Sequence, residues 1–139
     1  MEEPARHLLF HAVIILLIGL LTGIPYGKAI LTKANDRQID AWRVAHAALP
    51  IGAILLLVLS TSLTNINVAL NLKWAITILF ITSGYAFAWA LILGPILGFR
   101  GLSSKGPVAA KLVYGGNTLG AMTSLLGTLV LLYAAWLNL

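Results

Sequence analysis

Four long apolar runs, at about 8–27, 44–63, 74–99 and 119–139, take up most of this 139-residue chain. Each has close to the ~20 residues that a helix rising 1.5 Å per residue needs to cross a ~30 Å hydrocarbon core. Inside hydrocarbon every backbone N–H and C=O must be paired, and a helix pairs them within one segment. The chain is therefore expected to be all-α, an integral membrane four-helix bundle forming a single membrane domain over 1–139, with no soluble domain. Only 9% of the residues are charged and 60% are hydrophobic, too polar-poor for a soluble surface. The first run is too long, and followed by too much similar sequence, to be a removed signal peptide, although Gly23, Pro25 and Gly27 give it a small-residue end.

The net charge of +5 is no nucleic-acid footprint, because the basic residues sit at span ends. Arg6 and Lys73 fall on one side of the membrane, and Lys28, Lys33, Arg37, Arg43, Arg100, Lys105 and Lys111 on the other. By the positive-inside rule the first and third connections are cytoplasmic and both termini face out. The absence of cysteine excludes disulfides and thiolate ligands. No carboxylate lies within the four runs, which argues against an ion-coupled carrier. No phosphate-binding, serine-hydrolase or zinc-protease motif occurs, and Ser103 and Ser104 have no base nearby in sequence.

Gly19, Gly23 and Gly27 share one face of the first helix, and Gly116, Gly120 and Ser124 one face of the fourth. Small residues at four-residue spacing let another backbone approach closely. Pro25 is expected to bend or end the first helix. The connections are expected at 28–41, around Asn65, Asn67 and Asn71, and over 100–118, whose Gly- and Pro-rich backbone suits a loop folded back as a lid. Trp42, Trp74 and Trp136 read as interfacial anchors, while Trp89 lies deep in the third span.

The segment Ala41–Ala53, AWRVAHAALPIGA, holds the strongest chemical signal. His46 lies among alanines about one turn inside the second span, and an ionisable group within a bilayer is a functional-site hypothesis by default. Pro50 lacks an N–H, so the carbonyl of His46 loses its helical partner. The residues alone leave two readings open. His46 is an axial haem ligand, with Ala45, Ala47, Ala48 and Ala53 leaving room for the macrocycle and Arg43 pairing with a propionate. Or His46 is a histidine bonded to a neighbouring helix, with Arg43 a topology anchor and Pro50 an ordinary kink. His7 and His11, four apart on one face, are a weaker metal candidate, and His11 otherwise reads as an interhelical hydrogen-bonding residue.

The layout resembles the styrene oxide isomerases, small four-span bacterial membrane proteins. The likeness rests on His11 followed by an apolar run into Leu20-Leu21-Thr22-Gly23. It rests also on Trp42-Arg43-Val44-Ala45-His46 followed by Pro50 and Gly52, which resembles the family's Trp-Ala-Arg-Ala-His-Ser-Gly-Pro segment, and on Arg100-Gly101-Leu102. The distance from His46 to Arg100 fits without a gap. The match covers most of spans 1–3, and span 4 agrees only in character.

The resemblance implies haem b at the subunit interfaces of a homotrimer, in the bacterial inner (cytoplasmic) membrane, with His46 as axial iron ligand and Arg43 beside the cofactor. It implies ferric iron acting as a Lewis acid that converts an epoxide to a carbonyl compound. On the same ungapped reading, the family's asparagine falls on Gly52, its third-helix aspartate on Ser83 and its tyrosine on Leu91. Tyr85, Trp89 and Asn117 are the candidates to stand in for these groups. The expected ligand is a small hydrophobic molecule. The alternatives are a haem protein that binds gas or haem itself or passes electrons, and a cofactor-free membrane subunit or carrier.

Overall fold

The computed structural model describes residues 1–139. It is all-helical: α1 spans Glu3–Leu21, α2 Gly23–Leu31, α3 Asp36–Asn65, α4 Leu70–Leu97 and α5 Val108–Trp136. With α1 and α2 counted as one broken helix, four apolar helices are long enough to cross a membrane, which makes this a multi-pass membrane protein.

The break at Thr22 follows from Pro25, whose missing N–H leaves the carbonyl of Leu21 without its helical partner. Thr22 bonds back instead, its hydroxyl donating to Gly19 O at 2.6 Å. Helical structure resumes at once, so Pro25 breaks the span but does not end it. The helices also outrun the expected connections. Asn35 caps α3, accepting the N–H of Gln38 at 2.9 Å, so the first connection shrinks to 32–35. Gly98, at φ 75°, closes α4 in the left-handed conformation. The helix α5 begins at Val108, well before the expected start at 119, because Gly116 is a helical contact residue and not part of a loop. The remaining 98–107 connection is no lid, since none of its residues reaches the groove described below.

The bundle is two antiparallel pairs, α1 on α3 and α4 on α5, with α4 also touching α1 and α3. The core joins Ala5, Leu8, Ala12 and Ile15 of α1 to Ala53, Leu56, Leu59 and Leu63 of α3, with Ile76 and Ala134 closing it. Apolar lipid tails give little incentive to bury such residues, so close packing through small side chains holds the helices. On α5, Gly116 lies against Ala86, Trp89 and Ala90, Gly120 against the ring of Phe87, and Gly127 against Phe80. Ser124, next on the same face, lines the groove described below, and its hydroxyl donates to Ala121 O within its own helix.

At the amino-terminal end Lys73 is almost fully buried and pairs with Glu2 at 2.7 Å, while Thr77 donates to the carbonyl of Pro4 at 3.3 Å. At the other end Trp42 is 7% exposed and packs with Ala29 and Ala45. It is a core residue between α2, α3 and α4, not an interfacial anchor; Trp136 is 64% exposed and fits the anchoring role.

The helix directions place Arg6 and Lys73 at one end and the other seven basic residues at the opposite end. A single cysteine introduced into this cysteine-free chain at Ser104 should therefore resist an impermeant maleimide applied from outside the cell, and one at Asn138 should react. The reverse pattern would invert the topology.

Candidate functional site

His46 faces α1, and two glycines make room for it. A Cβ on Gly19 would stand 2.7 Å from Pro50 Cδ and 2.9 Å from Leu49 Cβ. A Cβ on Gly23 would stand 2.9 Å from His46 Cε1. Gly19 and Gly23, four apart, thus receive Pro50 and His46, four apart on the antiparallel helix. Gly27 completes no such contact; nothing lies within 4 Å of its Cβ position.

The imidazole is half-buried, with Nδ1 3.2 Å from Gly19 O. A carbonyl can only accept, so Nδ1 carries the proton and Nε2 keeps its lone pair. Nε2 has no partner in the protomer, and it is not sealed inside. Fixing one ring nitrogen through a carbonyl is how metal-binding histidines are oriented, with the other nitrogen left basic. The donor set therefore fits a haem iron at Nε2. Ala45 and Ala53 are fully buried in helix contacts and line no macrocycle space, while Ala47 is exposed and Ala48 is exposed on the groove side of α3. Tyr26, which the sequence does not mark, packs near His46 with ring centroids 6.1 Å apart. Arg43 pairs with Asp40 at 3.0 Å, its Nε donates to Tyr26 Oη at 3.4 Å, and its side chain stays 61% exposed.

His11 makes an interhelical bond, with Nδ1 2.9 Å from Tyr85 Oη. Its ring stacks with His7 at 6.3 Å, and His7 packs on Trp74. No group of three His, Asp or Glu side chains gathers here or elsewhere, so the His7–His11 pair lacks a third ligand.

An apolar groove of about 920 Å³ lies on another face of α3. Ala48, Gly52, Leu55, Leu56 and Leu59 of α3 form one wall, Phe80, Ser83, Phe87 and Leu91 of α4 the floor, and Asn117, Ser124 and Leu131 of α5 the other wall. It exists because α3 and α5 do not pack on one another. Gly52, Ser83 and Leu91, the positions singled out by the resemblance, all line this one groove. Of the three stand-in candidates only Asn117 does. Tyr85 is engaged by His11, and Trp89 is 55% exposed on the outer face of α4, against Gly116. The sequence does not mark Phe80, Phe87 or Ser124 as site residues, because apolar and small side chains in a membrane helix carry no signal of which cavity they face.

A half-buried imidazole packed on a broken helix and an apolar groove on another face of α3 are the main chemical features of this multi-pass membrane protein. The family model of styrene oxide isomerase matches residues 4–136, and the chain belongs to that family. Comparison with curated proteins finds no match.

Asn117 also holds the Arg100-Gly101-Leu102 turn: its Nδ2 donates to the carbonyls of Arg100 and Gly101 at 3.4 and 3.3 Å. Gly101 has φ 65°, and a Cβ there would stand 2.6 Å from both Asn117 Nδ2 and Val113 Cγ1. Gly101→Ala should therefore cost more than ~1 kcal/mol, read as a lower unfolding temperature of the detergent-solubilised protein. An unchanged unfolding temperature would show that the turn is not fixed in this way.

Proposed function

We propose that this protein binds haem b through Nε2 of His46 and acts on a small hydrophobic molecule held in the α3–α4–α5 groove, as a family member with reduced epoxide isomerase chemistry. The observation that carries this reading is the imidazole itself, tied by Nδ1–H to Gly19 O with Nε2 open on the protomer surface. When bound, ferric haem would supply a Lewis acid to polarise an epoxide oxygen. Pro50 and Gly19 fix the backbone that carries His46, and Gly23 leaves the ring its space. Arg43 keeps guanidinium N–H groups beyond those used by Asp40 and Tyr26, and these are available to a propionate.

His46 and Gly52 are six residues apart on α3, about 120° around its axis. A group on His46 therefore points away from the groove of its own protomer. A head-to-tail ring, in which the cofactor on one copy faces the groove of the next, brings the two together. Such a ring fits the homotrimer with haem at its interfaces that the resemblance implies; the bacterial cytoplasmic membrane comes from the same resemblance, and the outward termini from the charge bias.

A second reading, a haem protein without isomerase chemistry, is favoured by the lining itself. Glycine, leucine and a serine already bonded to a backbone carbonyl stand where the family places an asparagine, a tyrosine and an aspartate. Losing a donor that stabilises developing charge commonly costs ~10²–10³ in rate. Conversion of styrene oxide to the aldehyde should therefore be slow and confined to the oxidised holoprotein. Turnover as fast as a dedicated isomerase would mean that other residues supply these roles.

The purified protein should show a Soret band that His46→Ala abolishes or strongly shifts and His11→Ala leaves in place. Gly23→Ala, which presses on the ring without removing it, should shift the band or weaken haem retention. A spectrum unchanged in His46→Ala would overturn the assignment, and loss of the band in His11→Ala alone would move the ligand to His11.

A further inference from the structure

The groove contains four polar side chains, Ser62, Ser83, Asn117 and Ser124, and every one has already spent its donors. Ser83 Oγ donates to Gly120 O at 2.8 Å, Ser62 Oγ to Val58 O at 2.9 Å and Ser124 Oγ to Ala121 O at 2.9 Å. The amide of Asn117 donates to the carbonyls of Arg100 and Gly101. What remains is acceptors only: the lone pairs of three hydroxyl oxygens and Asn117 Oδ1, which has no partner, is not buried, and belongs to a residue that lines the groove. A ligand that brings only an acceptor, such as an ether or a bare epoxide, finds no hydrogen bond in this lining. A ligand that brings an O–H donor finds one at Asn117.

The shape adds a second condition. Asn117, Gly52 and Leu91 lie toward the basic end of the bundle, and the walls continue from there through Leu59 and Leu131. Along α3 the distance from Gly52 to Ser62 is about 15 Å at helical rise. A single aryl ring fills a small part of a space of about 920 Å³, whereas an extended hydrocarbon chain follows it.

We infer that the groove takes long-chain lipophilic alcohols, with the hydroxyl donating to Asn117 Oδ1 and the hydrocarbon lying between α3 and α5. This rests on the groove being the ligand site, and is independent of haem. For an epoxide-bearing ligand the consequence is orientation: a hydroxyl elsewhere on the molecule anchors at Asn117, and the epoxide oxygen, unpartnered in the lining, is left to face out of the groove.

Native mass spectrometry of the detergent-solubilised holoprotein, offered equal amounts of 1-dodecanol, its methyl ether, 1,2-epoxydodecane and n-dodecane, tests this. The alcohol should be retained about tenfold over the other three, the worth of one hydrogen bond in an apolar site. The same preference should appear in haem-free His46→Ala. Gly52→Leu should abolish retention, and it meets no neighbour within 4 Å at its Cβ, so it fills the groove without disturbing the fold. Equal retention of all four, or preference for the epoxide, overturns the inference. Retention of none by a protein with a normal Soret band overturns the groove as the ligand site and leaves the haem assignment standing. A lost Soret band with the alcohol preference intact does the opposite.

Discussion

The hydrogen bond from His46 to Gly19 is the contact on which the site depends, because it joins a chemical requirement to a packing one. The imidazole is oriented only if α1 approaches α3 closely enough for its carbonyl to reach Nδ1. That approach requires glycine at two positions, against Leu49 and Pro50 and against the imidazole ring. It also requires a carbonyl with spare accepting capacity inside a helix. Both helices are weakened there, α1 by Pro25 acting on the turn before it and α3 by Pro50 acting on the carbonyl of His46. Two defects in separate helices thus meet at one side chain. Beside the break between α1 and α2 the carbonyl of Gly19 is paired by two side chains, Thr22 and His46, as polar backbone within a membrane requires.

How much of this was legible beforehand differs by feature. The four spans follow from hydropathy, since only helices pair their backbone locally in lipid. The Gly19/Gly23 face, the bond made by His11 and the importance of His46 follow from spacing and from the cost of a polar group in hydrocarbon. Trp42 misled because its sequence position at a span end is the same for an anchor and for a buried residue; only the neighbouring α2, which packs over it, decides. The glycines at the end of the expected 100–118 connection misled about where α5 begins, although Gly116 also belongs to the packing face expected of the fourth helix. In a soluble loop they would mark a turn, but in a membrane helix glycine is a contact surface, and Gly116 seats α5 on α4. The groove was hidden because a cavity is made by which helices fail to touch. No local pattern encodes the separation of α3 from α5.

The lining of that groove also separates two things that fold and family membership alone would merge. The chain belongs to the family over residues 4–136, while Gly52, Ser83 and Leu91 stand where the resemblance expects groups that steer an epoxide. Ser83 shows how the substitution is accommodated: its hydroxyl turns to Gly120 O and becomes a helix-packing bond between α4 and α5. A position where the family has a charged group here serves cohesion.

The pairing of helices gives this arrangement a modular character. Everything that orients His46 lies on α1, α2 and α3, whereas α5 contributes a groove wall and rests on α4 alone. Side chains of α5 that face the groove, such as Leu131 and Ser124, share no partner with the imidazole, and changes at sites without shared partners combine nearly independently. A scaffold divided in this way can be retailored on its α5 wall while the half that orients His46 stays as it is, which makes the fourth span the natural place to begin redesigning selectivity.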